Sequence, residues 1–284
     1  MYFNKMKQIL LSDHFFRTQG SVKTKFTLTP YSTGPISLEF IWELYERYKK
    51  DLINVRKYQR KHYKNNLGPG RSLYGDIECE LTYLLLRETS PKTVVEISPY
   101  YGWSTSWILH GLRDNGLGHL YSFDQLFDFP GSKSSPLIEL PCLSTLPENL
   151  TESRFTLTEG DVREQINMPD QIDYLFIDSE HTAEFAKWFI RELFPRITKG
   201  SVISVHDIEG NGYNDDFLAD VRYRMKGGEN GEDREVLNYL KSSDINFFHS
   251  AVFLNEIRSI RKSKGIKGTI RNNYESTSLF FQRP

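Results

Sequence analysis

The chain has 284 residues, with 36 basic and 37 acidic side chains and a formal net charge of -1. It can therefore bury a substantial core, and its bulk charge gives no reason to expect a polyanionic partner. Its two cysteines, Cys79 and Cys142, form no short-spaced pair, which argues against a disulfide framework or a zinc cluster. No stretch approaches the roughly 20 apolar residues of a membrane helix, so we expect a cytoplasmic protein without a membrane partner.

The first part of the chain predicts an arm followed by a helical extension. Residues 1–35 mix Phe, Thr, Ser and Pro without a period. From residue 37 to about residue 65 apolar residues recur at helical spacing, and a basic run ends this segment. We interpret the basic run as a solvated helix end rather than a nucleic-acid surface. A Gly-Pro-Gly stretch then breaks the pattern and ends at residue 70, so we predict an N-terminal extension over residues 1–70 and a main domain over residues 71–284.

Segments with strand composition alternate with helical segments in the first half of the main domain. Helices are predicted over residues 76–88, from residue 102 onward and over residues 183–193. Four of the five predicted strands end in a carboxylate, and the five are residues 93–97, 120–124, 154–161, 172–178 and 201–207. This alternation predicts a parallel α/β sheet, which binds ligands at the carboxyl ends of its strands.

The remaining segments carry weaker patterns. Residues 127–150 contain four prolines and predict a long loop that is either a functional lid or mobile. Helices are predicted over residues 217–225 and 235–240, and the last two strands over residues 247–254 and 278–281. Residues 258–271 are strongly basic and predict an exposed hairpin arm, which with its flanks spans residues 256–275.

The turn after the first strand limits which nucleotide could bind there. Glu96 interrupts a buried apolar strand, where a carboxylate is costly unless it has a partner. The turn has a single glycine, Gly102, and Pro99 lacks an N–H donor, so a cradle for a pyrophosphate is disfavoured. Ser104 and Thr105 are predicted to cap the next helix. A ligand with an amino-acid end and a nucleoside end fits this turn better, because Glu96 suits an ammonium group.

Residues 96–105 resemble the E-I-G-x-Y-x-G-x-S-T first motif of class I S-adenosylmethionine-dependent methyltransferases. The resemblance implies a Rossmann-like, doubly wound, mostly parallel seven-stranded sheet with an antiparallel last strand. The sequence departs from the motif at Ser98, where the family has glycine. It implies that the methionine part of the cofactor lies at Glu96 and the turn, the ribose at Asp124 and the adenine at Gly160 and Asp161. The implied cofactor-binding residues are Glu96, Ser98, Tyr100, Gly102, Ser104, Thr105, Asp124, Gln125, Gly160, Asp161 and Asp178.

Residues 176–182 and 200–207 are most similar to the small-molecule O-methyltransferases of the catechol and macrolide-sugar type. These enzymes often bind magnesium, and the matching positions here are Asp178, His206 and Asp207. A histidine in this set suits magnesium poorly and leaves room for a softer metal or for none. Asp178, His181 and His206 are the candidate catalytic residues, and either histidine could take a proton because histidine titrates near neutrality. A histidine at a helix start can equally be a capping or packing residue.

The sequence thus predicts methyl transfer from S-adenosylmethionine to a hydroxyl of a small molecule, with a sugar as one candidate acceptor. A nucleic-acid methyltransferase is an alternative because of the two basic segments, although the overall charge is balanced. A non-catalytic scaffold that kept the fold is a second alternative. A dehydrogenase or epimerase that uses a nicotinamide dinucleotide is a third. The oligomeric state stays open, and a homo-oligomer is compatible with the sequence.

Overall fold

The computed structural model describes residues 35–66, 75–99, 102–125, 153–208, 231–270 and 278–284. The strands are β1 (Thr93–Ile97), β2 (His119–Asp124), β3 (Phe155–Glu159), β4 (Ile172–Ile177), β5 (Ile197–Val205), β6 (Phe247–His249) and β7 (Leu279–Gln282). The helices are α1 (Leu38–Arg47), α2 (Lys49–Asn66), α3 (Asp76–Thr89), α4 (Trp103–Asn115), α5 (Ala183–Glu192), α6 (Glu232–Ser242) and α7 (Leu254–Ser263).

The seven strands form one sheet in the order β3-β2-β1-β4-β5-β7-β6. The first five strands are parallel, whereas β7 runs antiparallel to both β5 and β6. The strand order switches between β1 and β4, because β2 and β3 follow on one side of β1 and β5 follows on the other side of β4. Open α/β sheets form a ligand crevice at such a point, at the carboxyl ends of their strands. The predicted Rossmann-like sheet with an antiparallel last strand is confirmed.

The central strands are buried because helices cover both faces. Val94, Val95 and Leu175 are completely inaccessible to solvent. This explains why β1 and β4 have apolar side chains on both faces of the sheet instead of on alternate positions only. Cys79 is also buried in α3, as expected for a packing cysteine. The helix boundaries of α3 and α5 agree with the sequence prediction to within one residue.

The predicted N-terminal helix is two helices, α1 and α2, with Tyr48 between them. Ile41 and Leu44 of α1 and Leu52 of α2 belong to the same hydrophobic core as the sheet. The division of the chain at residue 70 stays a prediction, because that residue lies outside the described ranges. The predicted arm over residues 1–35 lies almost entirely outside them as well, as do the loop over residues 127–150 and the helix over residues 217–225.

Three boundary predictions are wrong. β5 begins at Ile197, four residues before the predicted start, because the segment around Gly200 continues the strand through a register irregularity instead of forming a turn. The strand predicted over residues 247–254 ends at His249, since α7 begins at Leu254. The first six residues of the basic segment predicted as an exposed hairpin arm belong to α7, and Arg261 and Lys264 within the segment are buried.

The buried arginine has a physical reason. Arg261 donates to Glu80 of α3 from Nε at 2.8 Å and from Nη2 at 3.0 Å, and Arg56 of α2 also donates to this carboxylate. The positive charges are thus used inside the protein to join α2, α3 and α7. No helix in the described part of the chain combines the length and the hydropathy needed to cross a membrane.

Candidate functional site

Glu96 lies near the carboxyl end of β1 and is completely buried. Its carboxylate accepts hydrogen bonds from Ser104 Oγ at 2.7 Å, Thr105 Oγ1 at 2.8 Å and Ser122 Oγ at 2.6 Å. Ser122 faces Glu96 because the two residues are register partners in β1 and β2. Burial raises the pKa of Glu96 to about 7, although the three hydroxyl donors act in the opposite direction. Glu96 therefore ties the start of α4 and the second strand to β1.

These contacts correct one detail of the sequence prediction. Ser104 and Thr105 do not cap α4, because their hydroxyls are used by Glu96. The N-cap is Gly102, which has a φ of 80° and makes no side-chain capping bond. The α4 N-terminus is thus fixed from inside the protein by a carboxylate rather than by its own side chains.

The turn after β1 adopts a left-handed backbone at Ser98, with a φ of 66°. This region favours glycine, which is the residue that the resembled motif has at this position, so Ser98 adopts a conformation that glycine takes without strain. Ser98 N donates to Phe123 O at 2.7 Å, which ties the turn to the end of β2. Tyr100, the remaining predicted residue of this turn, lies outside the described residues.

The ends of β2 and β3 bring the next predicted residues together. Gly160 N donates to Asp124 O at 2.9 Å, so the two strand ends are joined directly. Asp124 is half-buried and Gln125 beside it is exposed. Asp161 accepts from Arg163 Nε at 2.9 Å, and this pairing lowers the pKa of the Asp161 carboxyl. Asp124, Gln125, Gly160 and Asp161 thus lie together at the ends of β2 and β3. Their role in holding a nucleoside stays a prediction.

A second group of polar residues lies at the ends of β4 and β5, and we call it the Asp178 cluster. Asp178 and His181 follow β4, and His206 and Asp207 follow β5. Their neighbouring positions in the sheet are fixed by backbone bonds from Asp178 N to Ile97 O at 3.2 Å and from His206 N to Ile177 O at 2.9 Å. The cluster also includes Glu78 of α3 and Glu232 of α6, which contact its two histidines.

His206 is held between carboxylates and is only 1% exposed. Its Nδ1 lies 3.0 Å from Asp178 Oδ1, and its Nε2 lies 3.4 Å from Asp207 Oδ1 and 3.5 Å from Glu78 Oε2. Burial alone would lower the pKa of His206, but the charges of Asp178, Asp207 and Glu78 outweigh it and raise that pKa well above its usual value. The acids around His206 therefore hold its ring in place and favour its protonated form.

His181 has a different environment, because one ring nitrogen faces the interior and the other faces the two aspartates. Its Nδ1 lies 2.6 Å from Glu232 Oε2. Its Nε2 lies 3.7 Å from both Asp178 Oδ1 and Asp207 Oδ2, beyond hydrogen-bonding distance. Burial lowers the pKa of His181, but the hydrogen bond to Glu232 and the three nearby negative charges raise it to about 9.

The backbone at this edge of the sheet is strained. Ser98, His181 and Asp207 have φ values of 66°, 57° and 52°, and they are three of the five non-glycine residues with positive φ in the described ranges. Such conformations cost about 1–3 kcal/mol each and persist where the surroundings enforce them. All three follow carboxyl ends of the adjacent strands β1, β4 and β5, so the strain is concentrated where the predicted site residues meet.

Asp178, His181 and Asp207 offer three ligand atoms that lie within 4.8 Å of one another. Two carboxylate oxygens and one imidazole nitrogen form a donor set that a divalent cation can occupy. The predicted set had His206 in place of His181. In the described residues three carboxylates lie within 3.5 Å of His206, so the geometry offers Nε2 of His181 as the third donor. This nitrogen can either bind a cation or take a proton, but it cannot do both at once.

Residues 95–208 match a family model described as "Methyltransferase domain". This matched segment is 114 of the 284 residues of the chain. Among curated proteins no sequence matches the chain. One similar solved structure is the O-methyltransferase TomG from Streptomyces achromogenes, at 15% identity and a TM-score of 0.51 over 81% of this chain and 90% of that chain. A second comes from Staphylococcus aureus and is provisionally assigned as a caffeoyl-CoA O-methyltransferase, at 14% identity and a TM-score of 0.50 over 86% of this chain and 98% of that chain.

The matched segment covers every predicted site residue, from Glu96 to Asp207. The identities are too low to transfer more than the fold from the solved structures. Two residues of the Asp178 cluster, Glu78 and Glu232, lie outside the matched segment and were missed in the sequence. Glu78 had a weak signal, because a helix directly before the first strand can line the crevice. Glu232 had none, since an acid at a helix start is ordinary.

Proposed function

We propose that the protein transfers the methyl group of S-adenosylmethionine to a hydroxyl of a small-molecule acceptor, with a sugar as the candidate acceptor class. The observation that carries this proposal is the convergence of Asp178, His181 and Asp207 at the ends of β4 and β5. These residues lie one strand away from the turn at Glu96. His181, a group that can take a proton, thus lies at the same edge of the sheet as the residues at the ends of β2 and β3 to which we assign the nucleoside.

The cofactor fits the ends of β1, β2 and β3. Asp124 is half-buried at the tip of β2, where a carboxylate can accept from both ribose hydroxyls. Gly160 and Asp161 at the next strand end form the adenine edge, and the turn from Ser98 to Gly102 receives the methionine part. TomG, whose fold is similar, was solved in complex with S-adenosylmethionine. Glu96 supports this site by holding the turn and α4 in place through Ser104 and Thr105.

We assign His181 as the group that takes the proton from the acceptor hydroxyl. Its side chain is 23% exposed and its Nε2 lies 3.7 Å from the nearest oxygens of Asp178 and Asp207. The side chain of His206 is 2% exposed, and its Nδ1 lies 3.0 Å from Asp178 Oδ1. With a pKa near 9, the ring of His181 would be protonated on both nitrogens at pH 7 as long as no cation compensates the negative charges of the acids around it. A divalent cation held by Asp178 and Asp207 would compensate these charges and polarise the acceptor oxygen.

A small acceptor is favoured over nucleic acid because part of the basic segments is internal. Arg56 and Arg261 are buried and donate to Glu80, so neither is available for phosphates. The proposal places the reaction in the cytoplasm. This expectation comes from the sequence.

The test combines cofactor binding with methyl transfer. S-adenosylhomocysteine at about 100 times its dissociation constant should stabilise the protein by about 2.7 kcal/mol in a melting scan, and NAD should not. With labelled S-adenosylmethionine, transfer should occur to members of a panel of sugars and catechols. In His181→Asn the turnover should fall by about 10²–10⁴-fold. His119→Asn is the matched control, because His119 contacts Thr156 at the other end of the sheet.

Three results would contradict the proposal. They are a lack of stabilisation by S-adenosylhomocysteine, transfer to RNA or DNA but to no small molecule, and full turnover in His181→Asn. Repeating the assay with EDTA and with added Mg²⁺, Mn²⁺ or Co²⁺ determines whether the cation contributes to the rate.

A further inference from the structure

The start of α6 brings a carboxylate to the rear of His181. Glu232 is the first residue of α6, is 2% exposed and lies outside the segment that matches the family model. Gly231 forms an isolated antiparallel bridge with Thr182, the residue directly after His181. This backbone contact fixes the start of α6 against the loop after β4. The short distance between Glu232 Oε2 and His181 Nδ1, 2.6 Å, is therefore built into the fold.

The direction of the hydrogen bond determines what the other ring nitrogen can do. An ionised carboxylate only accepts hydrogen bonds, so Nδ1 of His181 carries the proton. In the singly protonated ring Nε2 is then the unprotonated nitrogen. This nitrogen lies 3.7 Å from an oxygen of Asp178 and 3.7 Å from an oxygen of Asp207. The lone pair of Nε2 therefore points to the part of the cluster where an acceptor hydroxyl or a cation would lie.

A purely structural role explains Glu232 poorly. An acid in the first turn of a helix is stabilised by the helix dipole, but that effect does not require burial. Glu232 Oε1 is buried and has no hydrogen-bond partner among the described residues. A buried carboxylate oxygen without a partner is costly, and burial raises the pKa of Glu232. An apolar residue at the same position would avoid this cost.

We propose that Glu232 is the positioning residue of His181, which selects the tautomer with a free Nε2 and holds the ring toward Asp178 and Asp207. Its effect on turnover rests on the proposed function, whereas its effect on the imidazole does not. Carboxylates and carbonyls that orient a functional histidine in this way change affinity or activity by about 10–100-fold when they are removed.

The test uses Glu232→Gln, which keeps the size of the side chain and removes its charge. Glu235→Gln is the matched control, because Glu235 lies on the same helix and pairs with Lys187 and Arg234 instead of a histidine. Turnover in Glu232→Gln should fall by about 10–100-fold, while KM for both substrates should stay within about twofold. Glu235→Gln should leave both parameters unchanged.

The second readout is the ring of His181 itself, observed by ¹⁵N–¹H correlation in histidine-labelled protein without cofactor. Spectra are recorded on the alkaline side of the His181 titration, where the ring carries one proton, and His181→Asn assigns the signals. Wild type and Glu235→Gln should show the Nδ1-protonated tautomer. Glu232→Gln should show a mixture that includes the Nε2-protonated tautomer.

The outcomes separate the inference from the proposed function. An altered tautomer in Glu232→Gln, in a protein that transfers no methyl group, would support the positioning role and overturn the proposed function. An unchanged tautomer together with unchanged turnover would overturn the inference and leave the proposed function intact. A lower melting temperature with the wild-type tautomer and wild-type turnover would show that Glu232 is structural, and this would also overturn the inference.

Discussion

Helix α3 takes part in two buried charge clusters that differ in their balance. The first, which we call the Glu80 cluster, contains Asp76 and Glu80 with Arg56 and Arg261. Tyr45 OH also donates to Glu80 Oε2 at 2.8 Å, and Ile270 N donates to Asp76 Oδ2 at 2.7 Å. Two negative charges thus face two positive charges, and backbone and hydroxyl donors satisfy remaining oxygens.

The Asp178 cluster has an excess of negative charge. Its carboxylates belong to Glu78, Asp178, Asp207 and Glu232, and its two imidazoles, those of His181 and His206, can supply at most two positive charges. The charges of the Glu80 cluster balance without a ligand. The Asp178 cluster keeps excess negative charge, which a cation or a transferred proton can compensate. Burial alone therefore does not distinguish the candidate site from the Glu80 cluster, whereas charge balance does.

The largest loss of stability is expected from a substitution in the Glu80 cluster. Glu80→Gln leaves Arg56 and Arg261 without their main counter-charge in a buried position. Removing one partner of a buried ion pair costs about 3–5 kcal/mol, so the free energy of unfolding in urea should fall by that amount. Turnover per folded molecule should remain at the wild-type value at low temperature, because Glu80 belongs to the cluster that needs no ligand.

Glu88→Gln is the control for this experiment. Glu88 lies on the same helix and pairs with Arg47 at the surface. Exposed pairs contribute about 0–1 kcal/mol, so the stability should change little. If Glu80→Gln were no more destabilising than Glu88→Gln, the structural assignment of the Glu80 cluster would be wrong.

Glu96 provides a third kind of buried charge, because its partners are three neutral hydroxyls rather than cations. Its pKa is raised from the usual 4.5 to about 7 in the folded protein. The folded state thus binds a proton more tightly than the unfolded state, so stability falls as pH rises from about 4.5 through about 7. One pKa unit corresponds to about 1.4 kcal/mol, so the shift from 4.5 to about 7 sets an upper limit of about 3.4 kcal/mol for the loss.

This pH dependence is measured by urea unfolding of wild type and Glu96→Gln between pH 5 and pH 8. The amide does not titrate, and other groups cancel in the difference between the two proteins. Wild type should lose stability relative to the variant as pH increases across this range. A difference that is independent of pH would show that the carboxyl of Glu96 titrates near its ordinary value in the fold.

The sequence was sufficient for the sheet because its strands carry local signals. β1 and β4 are apolar on both faces, and the acids at strand ends place the crevice. The prediction failed where a charge is compensated by a residue distant in the chain. Arg261 looked exposed because nothing near it in sequence indicates Glu80, which is 181 residues away.

The same limit applies to the site. Asp178, His181, His206 and Asp207 could be predicted because they follow two adjacent strands. Their roles could not be separated, since the difference between His181 and His206 lies in which carboxylates face each ring nitrogen. Glu78 and Glu232 are contributed by helices outside the matched segment, and only the packing of α3 and α6 against the strand ends brings them to the histidines.

Ser98 gives the smallest expected effect and tests whether backbone strain, as well as charge, marks the site. Its φ of 66° is ordinary for glycine and costly for a β-branched residue. Ser98→Gly should change the free energy of unfolding by no more than about 1 kcal/mol, because relief of strain is offset by the greater entropy of glycine in the unfolded chain. Ser98→Val should destabilise by about 1–2 kcal/mol. The same serine-to-valine exchange at Ser242, an exposed residue of α6, should cost about 0.5 kcal/mol or less. Equal losses at the two positions in urea unfolding would mean that the turn after β1 relaxes without cost. The left-handed conformation at Ser98 would then not be enforced by the strand ends that surround it.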